Sequence, residues 1–471
     1  MDGLFAASST HALAAKIRSM GRMSAPVIES REQLLAPFTS GCKPREAWRI
    51  GTEHEKIGFC VDTLRPIPYE GERSIRRALE LLASEGWELE YENGNPIALK
   101  RGGGSITLEP GGQLELSGAP VATIHDTCEE VRDHLRLLAE VREELRIGFL
   151  GLGFQPKWPR EAVPWMPKGR YAVMRRYMPK VGAHGLDMML RTATIQVNLD
   201  FSSEADMARK MRVGMCLQPL VTALFAASPF VDGRPSGWLS SRARCWLDTD
   251  PARTGIPPMV FDEDFGFERY VDWLLDAPMY FVMREGRYVD CAGQSFRDFL
   301  AGRLPALPGE RPTPADWELH ITTVFPEVRL KGFLEMRGAD AGGKPWICAL
   351  PALWKGLLYD ARALDEAWNM VADWTHAEVT ALRREAARNA LAARFRDAPL
   401  WNLAERMLDI AAAGLERQGR QNAAGRDERI FLAPMREVIE RRETQADAWL
   451  HAWRTRWHGN IDPIFTEAAL P

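Results

Sequence analysis

"GTEHEKIGF", residues 51–59, places two glutamates two positions apart in an otherwise strand-like stretch. Side chains two apart on a strand project the same way, so Glu53 and Glu55 share one face and His54 takes the other. Taken alone, such a pair also suits a solvated edge strand. Its reading depends on whether other strands carry the same pattern.

Three more stretches do. In "ITLEPGGQLELS", residues 106–117, Pro110-Gly111-Gly112 suits a three-residue hairpin loop, because glycine tolerates positive φ. Pairing across that loop sets Glu109 opposite Gln113 and Thr107 opposite Glu115 on one face, with Ile106, Leu108, Leu114 and Leu116 on the other. "TIQVNLDF", residues 194–201, alternates Thr194, Gln196, Asn198 and Asp200 with Ile195, Val197, Leu199 and Phe201. "VRLKGFLEMRGAD", residues 328–340, sets Arg329, Lys331, Glu335 and Arg337 against Leu330, Leu334 and Met336. The glycine run "RGGGS", residues 101–105, lacks the Lys and following Ser or Thr of a P-loop and reads as a mobile turn.

Strands whose polar faces mix Glu, Gln, Asn and Arg suggest a concave sheet, one face on a helical core and the other lining a cavity. Clustered carboxylates repel unless cations neutralise them, and hard oxygen ligands select Mg²⁺ or Mn²⁺ over zinc. Arginines beside them suit an anion bridging to the metals, as a nucleoside triphosphate does. On pattern alone, an ordinary half-solvated sheet and a carboxylate site such as that of a glycosidase stay open beside the nucleotide reading.

The rest of the chain narrows the class. Its 471 residues are 46% hydrophobic, with 60 basic and 64 acidic residues interspersed to a net charge of -4. That is enough to bury a sizeable core, and such a balance recruits neither nucleic acid nor an anionic membrane. The most apolar patch, Leu217 to Phe230, is broken by Gln218, Pro219, Thr222 and Ser228, well short of a membrane span. Cys42, Cys60, Cys128, Cys216, Cys245, Cys291 and Cys348 form no CxxC motif, so zinc is not indicated and reduced thiols in a cytoplasmic protein are expected. The first 22 residues contain one acid and are rich in Ala and Ser, as transit peptides are, without the apolar core of a secretory signal. They are expected to be a disordered extension, or to precede a true start at Met23. Residues 71–91 and 124–146 read as helices. From Ala361 to Trp457 apolar positions such as Leu364, Trp368, Val371, Trp374 and Val379 recur at helical spacing.

The long motifs make the resemblance specific. "GTEHEKIGF" (51–59), "GGQLELSG" (111–118), "MPKGRYAVMRRYMPKVG" (166–182), "DMMLRTATIQVNLDFSSEADM" (187–207), "HITTVFPEVRLKGFLEMRGAD" (320–340) and "ALPALWKGLLYD" (349–360) resemble the glutamate-cysteine ligases of plant and proteobacterial type. The likeness spans roughly residues 27–465. It implies an α+β fold similar to glutamine synthetase: a curved, largely antiparallel sheet forming a funnel, backed by helices. The expected organisation is a flexible extension over 1–26, the catalytic sheet and its helices over 27–360, and a helical region over 361–471 packed on the same domain. The implied reaction phosphorylates the γ-carboxylate of L-glutamate with ATP. The amine of L-cysteine then displaces phosphate, giving γ-glutamylcysteine, the precursor of glutathione.

The same resemblance implies roles. Glu53, Glu55, Glu109, Glu115 and Glu335 are the expected ligands of Mg²⁺ (or Mn²⁺), with Gln196 as a neutral ligand. Arg337 and Lys331 face the ATP phosphates. Arg170, Tyr171, Arg191 and Arg242 face the amino-acid substrates, Arg242 and Arg337 acting in catalysis. Cys128 and Cys348 fall where some plant-type members carry a regulatory disulfide, whereas the position that would partner Cys291 holds Ala306. A monomer or homodimer is expected. Two alternatives remain: a related carboxylate-amine ligase with another amine acceptor, and a non-catalytic metal-binding β protein.

Overall fold

The computed structural model describes residues 26–471. The expected flexible extension therefore lies, but for its last residue, outside the described residues. Nine strands build the main sheet: β1 (Ile50–Cys60), β2 (Glu88–Glu92), β3 (Asn95–Arg101), β4 (Gly104–Leu108), β5 (Leu114–Ser117), β6 (Ile147–Leu150), β7 (Thr194–Leu199), β8 (Val328–Leu330) and β9 (Leu334–Asp340). Their order is β8-β9-β7-β1-β5-β4-β3-β2, and every pairing is antiparallel. Strand β1 is the hub. Its first half pairs with β5 and β7, and its last four residues pair with β6.

Directly opposed residues in antiparallel strands share a face, so register alone assembles rows across the sheet. Thr107, Glu115 and Glu55 stand side by side across β4, β5 and β1. Ser117, Glu53 and Gln196 form the next row across β5, β1 and β7. Gly51, Asn198, Glu335 and Arg329 form a third across β1, β7, β9 and β8. A Cβ on Gly51 would meet the Asn198 side chain at 3.2 Å, so glycine leaves room for that amide to turn to Glu53.

One residue changes the alternation. Between Met336 and Ala339 the register of β9 on β7 shifts, the mark of a β-bulge. Ala339 then opposes Ile195 on the core face, and Asp340 opposes Thr194 on the concave face. Gly338 sits in the bulge, where a Cβ would meet the Gln218 carboxamide oxygen at 2.3 Å.

The helices that matter here are α1 (Ile75–Ser84), α2 (Ile124–Leu145), α3 (Gly169–Tyr177), α4 (Glu204–Leu224), α5 (Ser241–Trp246), α6 (Lys344–Leu358), α7 (Ala361–Val371), α8 (His376–Asn389) and α9 (Leu400–Gln418). Helix α4 backs β9, and α6 backs β7 and β1. Helices α7, α8 and α9 pack on α4 and α6, which attaches the C-terminal helical region to the same core. Beneath the far end of β1, Phe59 and Leu150 meet Trp457, Ile464 and Phe465 in a second apolar cluster. The stretch 71–91 is helical only as far as Ser84: Gly86, at φ +85°, ends that helix, and Glu88–Glu92 leaves as edge strand β2. No helix among the described residues is long and apolar enough to cross a membrane.

Helix α2 begins on a Thr123–Asp126 capping box and lies under β1, where His54 meets His134 edge to face with ring centroids 5.5 Å apart. Cys128 of α2 is bonded to Cys348 of α6, with Cα atoms 5.8 Å apart and a sequence separation of 220. Cys42, Cys60, Cys216, Cys245 and Cys291 are free. Two turns along α6, buried Lys355 donates to both oxygens of buried Glu428 at 2.6 and 2.7 Å. Glu428 also accepts the Ile124 N–H at 2.7 Å, so the first turn of α2 is held to α6 twice.

Removing one member of a buried ion pair strands the other without water. Glu428→Ala is expected to lower the unfolding free energy by about 3–5 kcal/mol, and Lys355→Met/Glu428→Leu by clearly less, in urea titrations. Equal losses in the two variants would mean that the pairing itself is not what the fold depends on.

Candidate active site

The concave face of the sheet, covered by α3, α5 and connecting loops, lines a cavity of about 150 Å³ that opens to solvent. Its floor carries Glu53, Glu55, Glu115, Gln196, Arg337 and Arg329, with Glu109 and Gln113 at the β4–β5 hairpin. Arg170, Tyr171 and Arg242 come from the covering helices, and Met188, Met189, Trp246, Tyr280, Phe281 and Phe325 supply apolar wall.

Glu335 is fully buried under this layer and takes three cations. Arg329 holds it bidentately, Nε to Oε2 at 2.7 Å and Nη2 to Oε1 at 2.9 Å. Lys331 Nζ donates to Oε1 at 3.0 Å and Arg337 Nη1 to Oε2 at 2.7 Å. Arg337 also donates to Gln196 Oε1. Despite burial, the three cations hold the Glu335 carboxyl well below the usual carboxylate range.

The other carboxylates are undercompensated. Glu53 accepts the Asn198 amide at 2.7 Å, and burial with the charges of Glu335 and Glu115 pushes it up to about 7. Glu55 accepts the Thr194 N–H at 3.0 Å and is pushed well up by burial and by Glu109 and Glu115. Glu115 accepts the Thr107 hydroxyl at 2.7 Å and is raised by burial and Glu109. Among the described residues no group of three or more His, Cys, Asp or Glu is already drawn together as a metal cluster. These carboxylates line one cavity, and their oxygen-only donor set suits a hard divalent cation.

Helix α3 is seated by its start. The Gly169 N–H donates to Glu92 Oε1 at 2.7 Å, Lys168 Nζ donates to the Leu108 carbonyl at 2.7 Å, and the Tyr171 hydroxyl donates to the same carbonyl at 2.6 Å. Tyr171 therefore spends its hydroxyl on β4 and offers the cavity its ring. Arg170 lies over that ring at 5.2 Å, and its buried Nε has no protein acceptor, which leaves a donor for a ligand. Arg242, 3% exposed, donates from Nη2 to the Arg337 carbonyl at 2.6 Å, and burial lowers its pKa.

Arg191 is placed elsewhere. Its guanidinium donates to Asp187 and, at 2.6 Å, to Asp232, and stacks over Phe154 at 4.7 Å, outside the cavity wall. Two acids and an aromatic ring consume its planar fork, so the structure gives it a scaffold contact instead of a substrate contact. Conversely, Arg329 lines the cavity and grips Glu335, although only its strand face was legible. Tyr280, Phe281, Trp246 and Phe325 come from segments with no periodic pattern to mark them.

Glutamate-cysteine ligase family 2 matches residues 49–467. The chain is 55% identical over 441 residues to the chloroplastic glutamate-cysteine ligase B of Oryza sativa subsp. japonica, covering 93% of this chain and 87% of that one. The chain belongs to this ligase family. The chloroplastic ligase of Arabidopsis thaliana is likewise 55% identical, covering 93% of this chain and 82% of that one. A glutamate-cysteine ligase from Francisella tularensis, solved in complex with AMP, shares the fold with a TM-score of 0.55 at 14% identity, covering 89% of this chain and 87% of that one. The expectation of a cytoplasmic protein is overturned: the high-identity relatives are named as chloroplastic ligases.

Buried Lys168 gives the site a pH signature. Burial first, then Arg170, push its ammonium down to about 7 from an ordinary 10.5. Between those values the unfolded chain holds a proton that the folded chain does not, so stability rises with pH and is lost as pH falls toward 7. The slope is about 1.4 kcal/mol per pH unit for one such group. Lys168→Met is expected to reduce the gain in urea-unfolding free energy between pH 7.5 and 9.5, and an unchanged slope would refute the buried-ammonium account.

Proposed function

We propose that this cavity carries out the reaction of its family: ATP-dependent joining of the γ-carboxylate of L-glutamate to the amine of L-cysteine, giving γ-glutamylcysteine, the first step of glutathione synthesis. The observation that carries this reading is one funnel in which undercompensated carboxylates and a row of arginines face each other, in a chain 55% identical to named glutamate-cysteine ligases. A carboxylate is a poor electrophile because its oxygen leaves badly, and phosphorylation supplies a better leaving group. Phosphoryl transfer asks mainly for positioning and charge neutralisation.

The donor set fits Mg²⁺, which Glu53, Glu55, Glu109 and Glu115 would hold with Gln196 as a neutral ligand. Bound there, the cation would draw charge from the transferring phosphoryl group. Arg329, Lys331 and Arg337 form the triphosphate side. Glu335 keeps them poised, and it becomes free to join the ligand set as they shift toward phosphate. Arg170 and Arg242 face the carboxylates of the amino acids, where a planar fork pairs bidentately. The wall of Tyr280, Phe281, Trp246 and Phe325 keeps water from the acyl phosphate, so that the cysteine amine reaches it first. The Cys128–Cys348 bond ties α2, under β1, to α6, and it is the element through which redox state would reach this floor.

The deciding assay incubates purified protein with ATP, Mg²⁺, glutamate and cysteine and identifies products by mass. γ-Glutamylcysteine, ADP and phosphate are expected in equal amounts, with turnover abolished by EDTA and restored by Mg²⁺. A faster product from another small amine would favour a related carboxylate-amine ligase, and no ATP turnover would sink the reading.

Glu53→Gln is expected to lower kcat on the order of 10²-fold at saturating Mg²⁺, since it removes charge opposite the reacting phosphoryl group. Arg337→Lys is expected to raise the KM for ATP and leave the KM for glutamate nearly unchanged, because a point charge cannot replace the fork. The reverse pattern would move Arg337 to the amino-acid end.

A further inference from the structure

Asp340 closes β9 on the concave face, 1% exposed, directly below the cavity wall. All its contacts are with donors. Oδ2 accepts the Ala227 N–H at 3.0 Å and the Ser228 hydroxyl at 2.6 Å, and Oδ1 accepts the Ser240 hydroxyl at 2.6 Å. Both hydroxyls pass the contact on to α5. Ser240 is its N-cap, its Oγ accepting the Ala243 N–H at 3.0 Å, and Ser228 Oγ accepts the Arg242 N–H at 3.3 Å.

Helix α5 has only six residues and too few internal hydrogen bonds to fix its own direction. Its first turn is instead oriented by one carboxylate on the strand that also carries Glu335 and Arg337. From that same turn the Arg242 side chain returns to the strand, its Nη2 donating to the Arg337 carbonyl. Room for the carboxylate is kept by Gly153, where a Cβ would meet Asp340 Cγ at 2.3 Å. The groups facing the Arg242 guanidinium are Asp340, Glu327 and Glu55, which attract it, and Arg337, which repels it.

We propose that Asp340 is a positioning residue for glutamate recognition: through Ser228 and Ser240 it sets the first turn of α5 and so aims Arg242 into the cavity. The proposal rests on the assignment of Arg242 to the substrate carboxylates above. A carboxylate suits the task because three donors converge on it, and an amide would have to turn an NH₂ toward one of them.

The test separates substrate binding from folding and from the parent reading. Asp340→Asn keeps the shape and is expected to raise the KM for glutamate about tenfold while the KM for ATP moves less than about twofold, with Ser228→Ala showing the same pattern more weakly. A purely structural role would lower the melting temperature and the active fraction and leave both KM values in place, which would overturn the proposal. If Asp340→Asn does not fold, Ser228→Ala decides by the same split. Arg242→Lys is the control: a raised glutamate KM there with none in Asp340→Asn and Ser228→Ala sinks the positioning role alone. An unmoved glutamate KM in Arg242→Lys sinks the assignment of Arg242 itself. Because Asp340 acts through Arg242, the double variant Asp340→Asn/Arg242→Lys should fall no further than Arg242→Lys, and additive losses would place Asp340 on a separate path.

Discussion

A carboxylate with no exposure, Glu335, surrounded by Arg329, Lys331 and Arg337, is the interaction on which the site depends. Removing charges from water costs several kcal/mol per ion, and the attraction offsets it only when geometry is fixed and the remaining donors are satisfied. The fixing comes from the sheet. Arg329 is directly opposite Glu335 across β8 and β9, Arg337 is two residues along the same face, and Lys331 comes from the turn that joins the strands. The Nη1 hydrogens of Arg329 are taken by the Thr322 and Val324 carbonyls at 3.1 Å. Apolar groups of equal volume would pack there at less cost, so the cluster is better understood as a charge arrangement kept for its ligand than as a source of stability.

The opposite imbalance lies two strands away. Glu53, Glu55 and Glu115 stand on adjacent rows with hydroxyl, amide and backbone N–H donors but no guanidinium of their own. Burial raises all three and the neighbouring carboxylates add to it, whereas at Glu335 three cations outweigh burial, so the cationic groups gather on β8 and β9 and the uncompensated carboxyls on β1 and β5. A ligand that brings both a polyanion and a divalent cation neutralises both halves at once. Neither component alone does so, and this is the electrostatic ground for the metal-bound triphosphate proposed above.

Much of this was legible in residue order. Period-two alternation at Glu53 and Glu55, at Thr107, Glu109, Gln113 and Glu115, and at Gln196 and Asn198 is enough to bring those groups to one face, because register in a sheet with one buried face leaves no freedom to slip. Alternation fails where the backbone departs from it. The bulge between Met336 and Ala339 turns Asp340 back to the concave side, and no propensity marks it except Gly338, whose reason is a contact with Gln218 from another helix. Arg191 shows the converse limit. Its place beside the "ATIQ" strand resembles that of a substrate arginine, but Asp187, one turn earlier on its own helix, and Asp232, from a distant loop, turn it away. Residues on connections, such as Tyr280 and Phe281, carry no periodicity, so only folding shows which of them reach the cavity.

The bulge also explains how one strand serves two ends of the cavity. An uninterrupted β9 would place Glu335, Arg337 and Ala339 on the concave face and bury Asp340 against α4 without a partner. With one residue inserted, the strand presents Glu335 and Arg337 to the phosphate side and, three residues on, Asp340 to the segment that holds Arg242. Arg242 closes the circuit by donating to the carbonyl of Arg337, which lies within the register shift of β9 on β7. The two arginines are therefore linked by a hydrogen bond to backbone as well as by their charges. Such a link suits a reaction whose two halves, phosphorylation at a carboxylate oxygen and amine attack at the carbon that bears it, must occur on one carboxyl group without repositioning it.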